Sequence, residues 1–133
     1  MLALLASIVA APAVHGDIRS MLRDQGFSGP LNGRETIEYI GHIRDAGADY
    51  RIYSYYGAFR AAAVDHGVSR LIVMRNGSTF FGEYAVAMPV SCKVRARKVI
   101  CSAGTIEFTK RGPPEKILFD GEVVAIQLGG KAK

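Results

Sequence analysis

The sequence has no tryptophan, two cysteines and no charged side chain before Asp17. Its longest apolar run, the opening MLALLASIVAAPAV, is fourteen residues, short of the roughly 20 that a bilayer-spanning helix needs. Gly-x-Ser-x-Gly, His-Glu-x-x-His, a phosphate-binding glycine loop and Cys-x-x-Cys are all missing. Without them the usual nucleophile, zinc, nucleotide and dithiol chemistries have no starting point. The chain also lacks a repeat of 20–50 residues and any linker marked by a shift in composition, so its 133 residues read as one domain.

The charge-free start has its own reading. A short apolar stretch ending in Ala11-Pro12-Ala13 fits a secretory leader with a small-residue cleavage site. Residues 1–13 are therefore expected to be a signal peptide and 14–133 a single β-rich domain, with a cut after Gly16 as the second choice. The usual Lys/Arg before the apolar stretch is missing. The expected location is periplasmic or extracellular, with no transmembrane segment in the mature chain.

What is present points to strands. Glycine is abundant, at 15 residues, and short apolar runs separate the turn formers, the mark of a hairpin-rich chain. Asn76-Gly77 and Asp120-Gly121 are strong hairpin signals. The first is expected to set Arg75 opposite Ser78, and the second to join KILF to EVVAIQL. A short helix is expected over Asp17–Gln25, capped by Asp17, striped by Ile18, Met21 and Leu22 and stopped by Gly26. RETIEYIGHIR, YRIYSYY and TIEFTK read as strands, while GAFRAAAVDHG reads as a helical turn or an irregular crossover. The expected fold is mainly β: a small antiparallel barrel or sandwich of about eight strands built from hairpins, with a short N-terminal helix and one disulfide. A strongly curved sheet capped by the helix is the alternative.

The most informative stretch is VSCKVRARKVICSA, Val90–Ala103. Folded with Cys92 opposite Cys101, it sets Lys93 against Ile100, Val94 against Val99 and Arg95 against Lys98. One face then carries Cys92, Val94, Val99 and Cys101, the other Lys93, Arg95, Lys98 and Ile100, as period-2 alternation requires. This register predicts a disulfide, which suits an oxidising compartment. Eight intervening residues within one hairpin suit a structural bridge rather than a redox pair.

Charge converges on the same place. Val90–Arg111 holds six basic residues and one acid, Glu107, whereas the rest of the chain has eleven of each sign. The net charge of +5 thus resides on the hairpin and the strand after it, a field that attracts anions. Lys93, Arg95, Arg97 and Lys98 are the candidate ligand-binding residues. Arg51, Tyr53 and Tyr55 join them, because they alternate away from a core-facing Ile52 and suit binding surfaces. The simpler explanations are that lysine and arginine keep a strand surface soluble and that tyrosine is a good strand residue.

The basic run has no interleaved aromatics, as nucleic-acid stacking would need, so nucleic acid is not the expected partner. An anionic envelope component or a protein is. No catalytic residue, metal ligand or cofactor is assigned. Glu35 and Glu38 have no assignable partner, and His42 with Asp65-His66 lacks ligand spacing. Asn76-Gly77-Ser78 matches an N-glycosylation site as well as a turn.

In outline the chain is similar to small periplasmic barrels such as the c-type lysozyme inhibitors. The similarity is one of architecture, and no residue is carried over from it. The expected function is that of an exported, non-catalytic binding protein. A structural subunit pairing through a sheet edge and a small hydrolase are the alternatives, and the oligomeric state is left open.

Overall fold

The computed structural model describes residues 18–45, 47–87 and 90–129. The expected signal peptide, the Asp17 cap and the last four residues lie outside the described residues. Helix α1 spans 18–24. Nine strands follow: β1 (Thr36–Asp45), β2 (Ala48–Ala61), β3 (Val64–Arg75), β4 (Thr79–Val86), β5 (Cys92–Arg95), β6 (Lys98–Cys101), β7 (Gly104–Glu107), β8 (Lys116–Phe119) and β9 (Glu122–Leu128).

All pairings are antiparallel. Six strands form a curled sheet in the order β1-β2-β3-β4-β9-β8, and β5-β6-β7 form a second sheet. The small sheet sits between the ends of the large one, with β5 beside β1 and β7 beside β8. Val99 and Ile106 of the small sheet share one core with Ile43, Ile52, Leu71, Val73, Tyr84, Ile117 and Phe119 of the large one. The curled six-stranded sheet and the three-stranded sheet therefore share a single interior, a mainly β fold of the kind expected.

Both seams of this enclosure pass a glycine. A Cβ on Gly41 would come within 2.9 Å of the Val94 side chain, and one on Gly104 within 2.5 Å of the Leu118 carbonyl oxygen. The β7–β8 seam also carries a hydrogen bond from Asp120 N–H to Ala103 O, 3.0 Å.

A second apolar cluster lies on the outside of the large sheet. Ile18 and Leu22 of α1 pack with Ile37, Tyr53, Tyr55, Ile72, Met74 and Phe80, and Phe27 adds to them. The helix is too short to be stable alone, so this packing holds it. Polar ties hold the strap that follows. Buried Glu83 accepts from Ser28 N–H (3.1 Å), Ser28 Oγ (2.6 Å) and Arg70 Nε (3.1 Å). The Tyr55 hydroxyl donates to Pro30 O, and burial pushes that phenol up to about 12. Gln25 bridges Phe80 N–H and Ser78 O.

Four local expectations are corrected. The Asn76-Gly77 loop has three residues, so Arg75 faces Thr79 rather than Ser78. Asn76 and Gly77 both take positive φ, and the ladder shifts again between Val73 and Met74, an extra residue that re-aims Phe81. In β1 a similar irregularity between Tyr39 and Gly41 breaks the expected single alternation. Tyr39 and His42 end on one face and Gly41 on the other. The stretch 57–67 is neither helix nor crossover: β2 and β3 stay paired out to Ala61 and Val64, and Ala62-Ala63 turns with φ of 55° and 64°. The strand read over TIEFTK ends at Glu107, where Phe108 N–H turns to Arg97 O (2.8 Å). The Asp120-Gly121 hairpin is as expected, with Phe119 opposite Glu122.

Two tests follow from this construction. Gly104→Ala sets a methyl group against a backbone oxygen, and overpacking of this kind costs about 1–3 kcal/mol. Urea unfolding is expected to show that loss, while Gly121→Ala, whose added Cβ meets nothing within 4 Å, reports positive-φ strain alone.

The second test concerns Glu35, buried beside Arg19 at 2.6 Å. Burial by itself raises its pKa, but hydrogen bonds from Arg19 and the Gly33 N–H, with the Arg19 charge, leave it below 4.5. A lowered folded pKa stabilises above the unfolded value and loses that contribution as pH falls through the folded value. Glu35→Gln is therefore expected to be less stable than the parent at neutral pH, with the gap narrowing toward about pH 3. Urea midpoints at the two pH values measure it, and a constant gap would contradict it.

Candidate functional site

The Val90–Ala103 hairpin folds in the register read from its sequence: Cys92↔Cys101, Lys93↔Ile100, Val94↔Val99 and Arg95↔Lys98. The disulfide is formed. Ser102 N–H donates to Ser91 O at 3.1 Å. The adjoining cysteine pair is thus of the non-hydrogen-bonded kind, in which side chains approach most closely; its Cα atoms are 4.0 Å apart. Val99 is fully buried and Val94 half-buried, whereas Lys93, Arg95 and Lys98 are exposed. The hairpin's tip is the two-residue turn Ala96-Arg97, and Ala96 takes a φ of 55°.

Among the described residues, no carboxylate lies within 4.0 Å of the charged nitrogens of Lys93, Arg95 or Lys98. Glu107 sits opposite Lys98 across β6–β7 and offsets part of the charge. Three cations elsewhere are paired, Arg19 with Glu35, Arg60 with Asp65 and Arg70 with Glu83, while Arg34, Arg75, Lys110, Arg111 and Lys116 also have no carboxylate partner among the described residues.

The hairpin is not isolated. Val90–Cys92 lines a groove together with Ile37–Ile40, and Val94 meets Gly41, so β5 runs alongside β1 in the same direction. On the outer face of β1, Tyr39 and His42 are joined by a 2.9 Å hydrogen bond between Oη and Nδ1. His42 stands opposite Arg51 and Arg44 opposite Asp49. Asp49 lies 3.6 Å from Arg51 and 3.9 Å from Arg44. Outward positions on β6, β5, β1 and β2 thus carry a strip of residues, Lys98, Arg95, Lys93, His42, Arg44 and Arg51, with the Asp49 carboxylate beside the last two. Lys93, Arg95, Lys98 and Arg51 all occupy outward strand positions.

Tyr53 and Tyr55 do not join that surface. They alternate outward from Ile52 as expected, yet each is only 2% exposed. Tyr55 lies under the strap against Phe27, ring centroids 4.8 Å apart, and Tyr53 packs beneath Tyr39 at 5.4 Å. Alternation identifies two faces of a strand, and here α1 and the strap cover the second one. Both phenols are raised by burial above all. Tyr39, nearly half exposed, takes the surface position that Tyr53 was expected to hold.

Sequence reasoning also passed over the interior end of β1 and β2. Across the sheet, Glu38, Ser54, Leu71 and Tyr84 form one inward row, and Thr36, Tyr56, Ser69 and Val86 the next. The interior turns from apolar to polar toward this end. Ser54 and Tyr56 share the parity of Ile52, and polar residues on a core parity were the available signal. Glu35 and Glu38 do not form a pair, since Glu35 is bound to Arg19 outside. His42 and His66 stand at opposite ends of β2's pairing partners, with His66 stacked on Phe59 at 5.1 Å.

Two substitutions separate the bridge from the turn. Cys92→Ala with Cys101→Ala is expected to lower stability by about 2.5 kcal/mol, from the entropy of a loop of about ten residues. Ala96→Gly relieves the positive φ and is expected to return about 0.5–1 kcal/mol. Urea denaturation of the three proteins measures both, and free-thiol titration of the parent should find none.

No protein family model matches this chain, and neither the curated proteins nor the solved structures contain a significant match to it.

Proposed function

We propose that this chain is an exported, non-catalytic binding protein that engages an anionic envelope component or an acidic protein surface through the basic strip. One observation carries the reading: Lys93, Arg95 and Lys98 stand exposed on one face without a carboxylate partner among the described residues. The disulfide supports an oxidising compartment. No helix of the described residues is long and apolar enough to cross a membrane. Three or four cations held on a rigid sheet attract a polyanion without the entropy cost of ordering a loop.

The assembly alternative has its own support. Beyond Tyr56 and Ser69, where β1 and β4 end, β2 and β3 continue as a two-stranded ribbon to Ala61 and Val64. Among the described residues no strand pairs with its edges, although Asn32 Nδ2 donates to Ala58 O at 3.1 Å, and Phe59 and Val64 are exposed, so it offers backbone groups to another strand. The hydrolase alternative has less, because Glu35 and Glu38 lie on opposite sides of the sheet.

Co-sedimentation with phosphatidylglycerol-containing vesicles and binding to an acidic polysaccharide test the proposal. The parent protein is expected to bind one of them with an affinity that falls as salt rises. Arg95→Glu with Lys98→Glu should weaken it at least about tenfold, since each basic residue near an anionic surface contributes about 1 kcal/mol. Binding unchanged in a folded double variant would refute the strip, and a parent that binds neither polyanion would refute the anionic ligand.

A further inference from the structure

A groove of about 510 Å³ opens between β1 and the run 90–92 that leads into the stapled hairpin, and Glu38, Ser54 and Ser91 line it. A second, of about 240 Å³, adjoins it through shared Glu38, Ser54 and Val90 and adds Thr36, Tyr56 and Ser69. Together they occupy the end of the enclosure where the inward rows become polar. The larger space is within the range of about 300–1,000 Å³ typical of small-ligand sites, and barrel mouths are among their usual places.

The lining has a definite chemistry. Thr36, Ser54, Ser69, Ser91 and Tyr56 present hydroxyls, each able to donate and accept as its O–H rotates. Glu38 is exposed and can accept two hydrogen bonds through its carboxylate. Ile40, Val90 and the Cys92 sulfur supply apolar wall. Tyr56 lines the smaller groove, 44% exposed, and an amphipathic ring of this kind holds an apolar face while the hydroxyl stays wet; Tyr39, at the edge of the larger groove, is turned to the outer face by its bond to His42. No lysine or arginine is among the described residues lining the larger groove, and Arg70, which lines the smaller one, is bonded to Glu83 at 3.1 Å.

We propose that this mouth is a binding site for a neutral sugar, with Glu38 accepting from vicinal hydroxyls, the serines completing the hydrogen bonds, and a tyrosine ring facing the sugar's C–H groups. Sugar hydroxyls are both donors and acceptors, which matches walls built of hydroxyls. A free anion would meet the Glu38 carboxylate, and a purely apolar ligand would strand the hydroxyls without partners. The site is distinct from the basic strip: Glu38 and Ser54 face inward on β1 and β2, whereas His42 and Arg51 face outward on the same two strands. The two surfaces can therefore be altered separately.

Amide chemical shifts of the full chain, titrated with maltotetraose, cellotetraose and chitotetraose at millimolar concentration, test this proposal, with spermidine as a cationic control. At least one oligosaccharide is expected to shift the amides of Glu38, Ser54, Tyr56 and Ser91. Glu38→Gln should weaken that binding about tenfold or more by replacing a charged acceptor with a neutral one. Glu38 is exposed, so the variant retains its fold, and Ser54→Ala provides an independent second loss. Arg95→Glu with Lys98→Glu should bind the sugar as the parent does. No response at these amides to any of the three sugars, equal affinity in Glu38→Gln, or a response to spermidine alone would overturn the assignment.

Discussion

The structure depends on closing two seams. A sheet of six strands curled on itself leaves β1 and β8 as edges, and open edges recruit other strands. The small sheet covers both. It can come close enough only because the backbone at Gly41 and Gly104 carries no side chain. Val94 then fills the space at one seam, and the Leu118 carbonyl approaches at the other. Once the seams are shut, Val99 and Ile106 reach the common core, and the basic face of the hairpin is fixed relative to β1. The element that covers β1 thus also carries Lys93, Arg95 and Lys98, so edge protection fixes where those charges stand.

The outer face of the large sheet is managed differently. Tyr53, Tyr55, Ile72, Met74 and Phe80 would form an exposed apolar patch without α1 and the strap. A helix of about two turns has little stability of its own, so specific ties position the cover. Glu83 is a buried carboxylate in that arrangement, and its desolvation is offset by Arg70 and two donors from Ser28. The Tyr55 hydroxyl reaches out of the cluster to the strap carbonyl at Pro30. Tyrosine serves this position where phenylalanine would leave that tie unmade.

Much of the fold was legible because local rules agreed. In Val90–Ala103 the cysteine spacing, the alternation and the placement of charge all select one register, and the chain adopts it. Asp120-Gly121 likewise leaves one tight turn. Failures occurred where the sequence carries no local mark. The irregularity at Ile40 reverses parity within β1, yet nothing in EYIGHI requires it. Ala62-Ala63 takes positive φ because the strands on either side continue to pair, and alanine gives no hint of such a turn. Alternation in YRIYSYY separates two faces correctly, but what covers a face is tertiary information. That is why Tyr53 and Tyr55, read as outward, are buried under the strap and Tyr39. The polar mouth had a weaker trace, hydroxyl-bearing residues on the parity of Ile52.

The order of strands carries a consequence for how this chain folds. The strands β1 to β4 form an unbroken meander, β5 to β7 a second, and β8 with β9 a hairpin. Within each unit a strand pairs with its neighbour along the chain, so the loops to be closed are short and each costs little entropy. The β4–β9 pairing, the β1–β5 seam and the docking of α1 on the large sheet join distant parts of the sequence. Such a topology lets three local units form early and leaves their docking as the slow event. Until docking is complete, the edges of β1 and β8 are open. The interval before the seams close, rather than the finished fold, is when this protein is most exposed to pairing with another copy of itself.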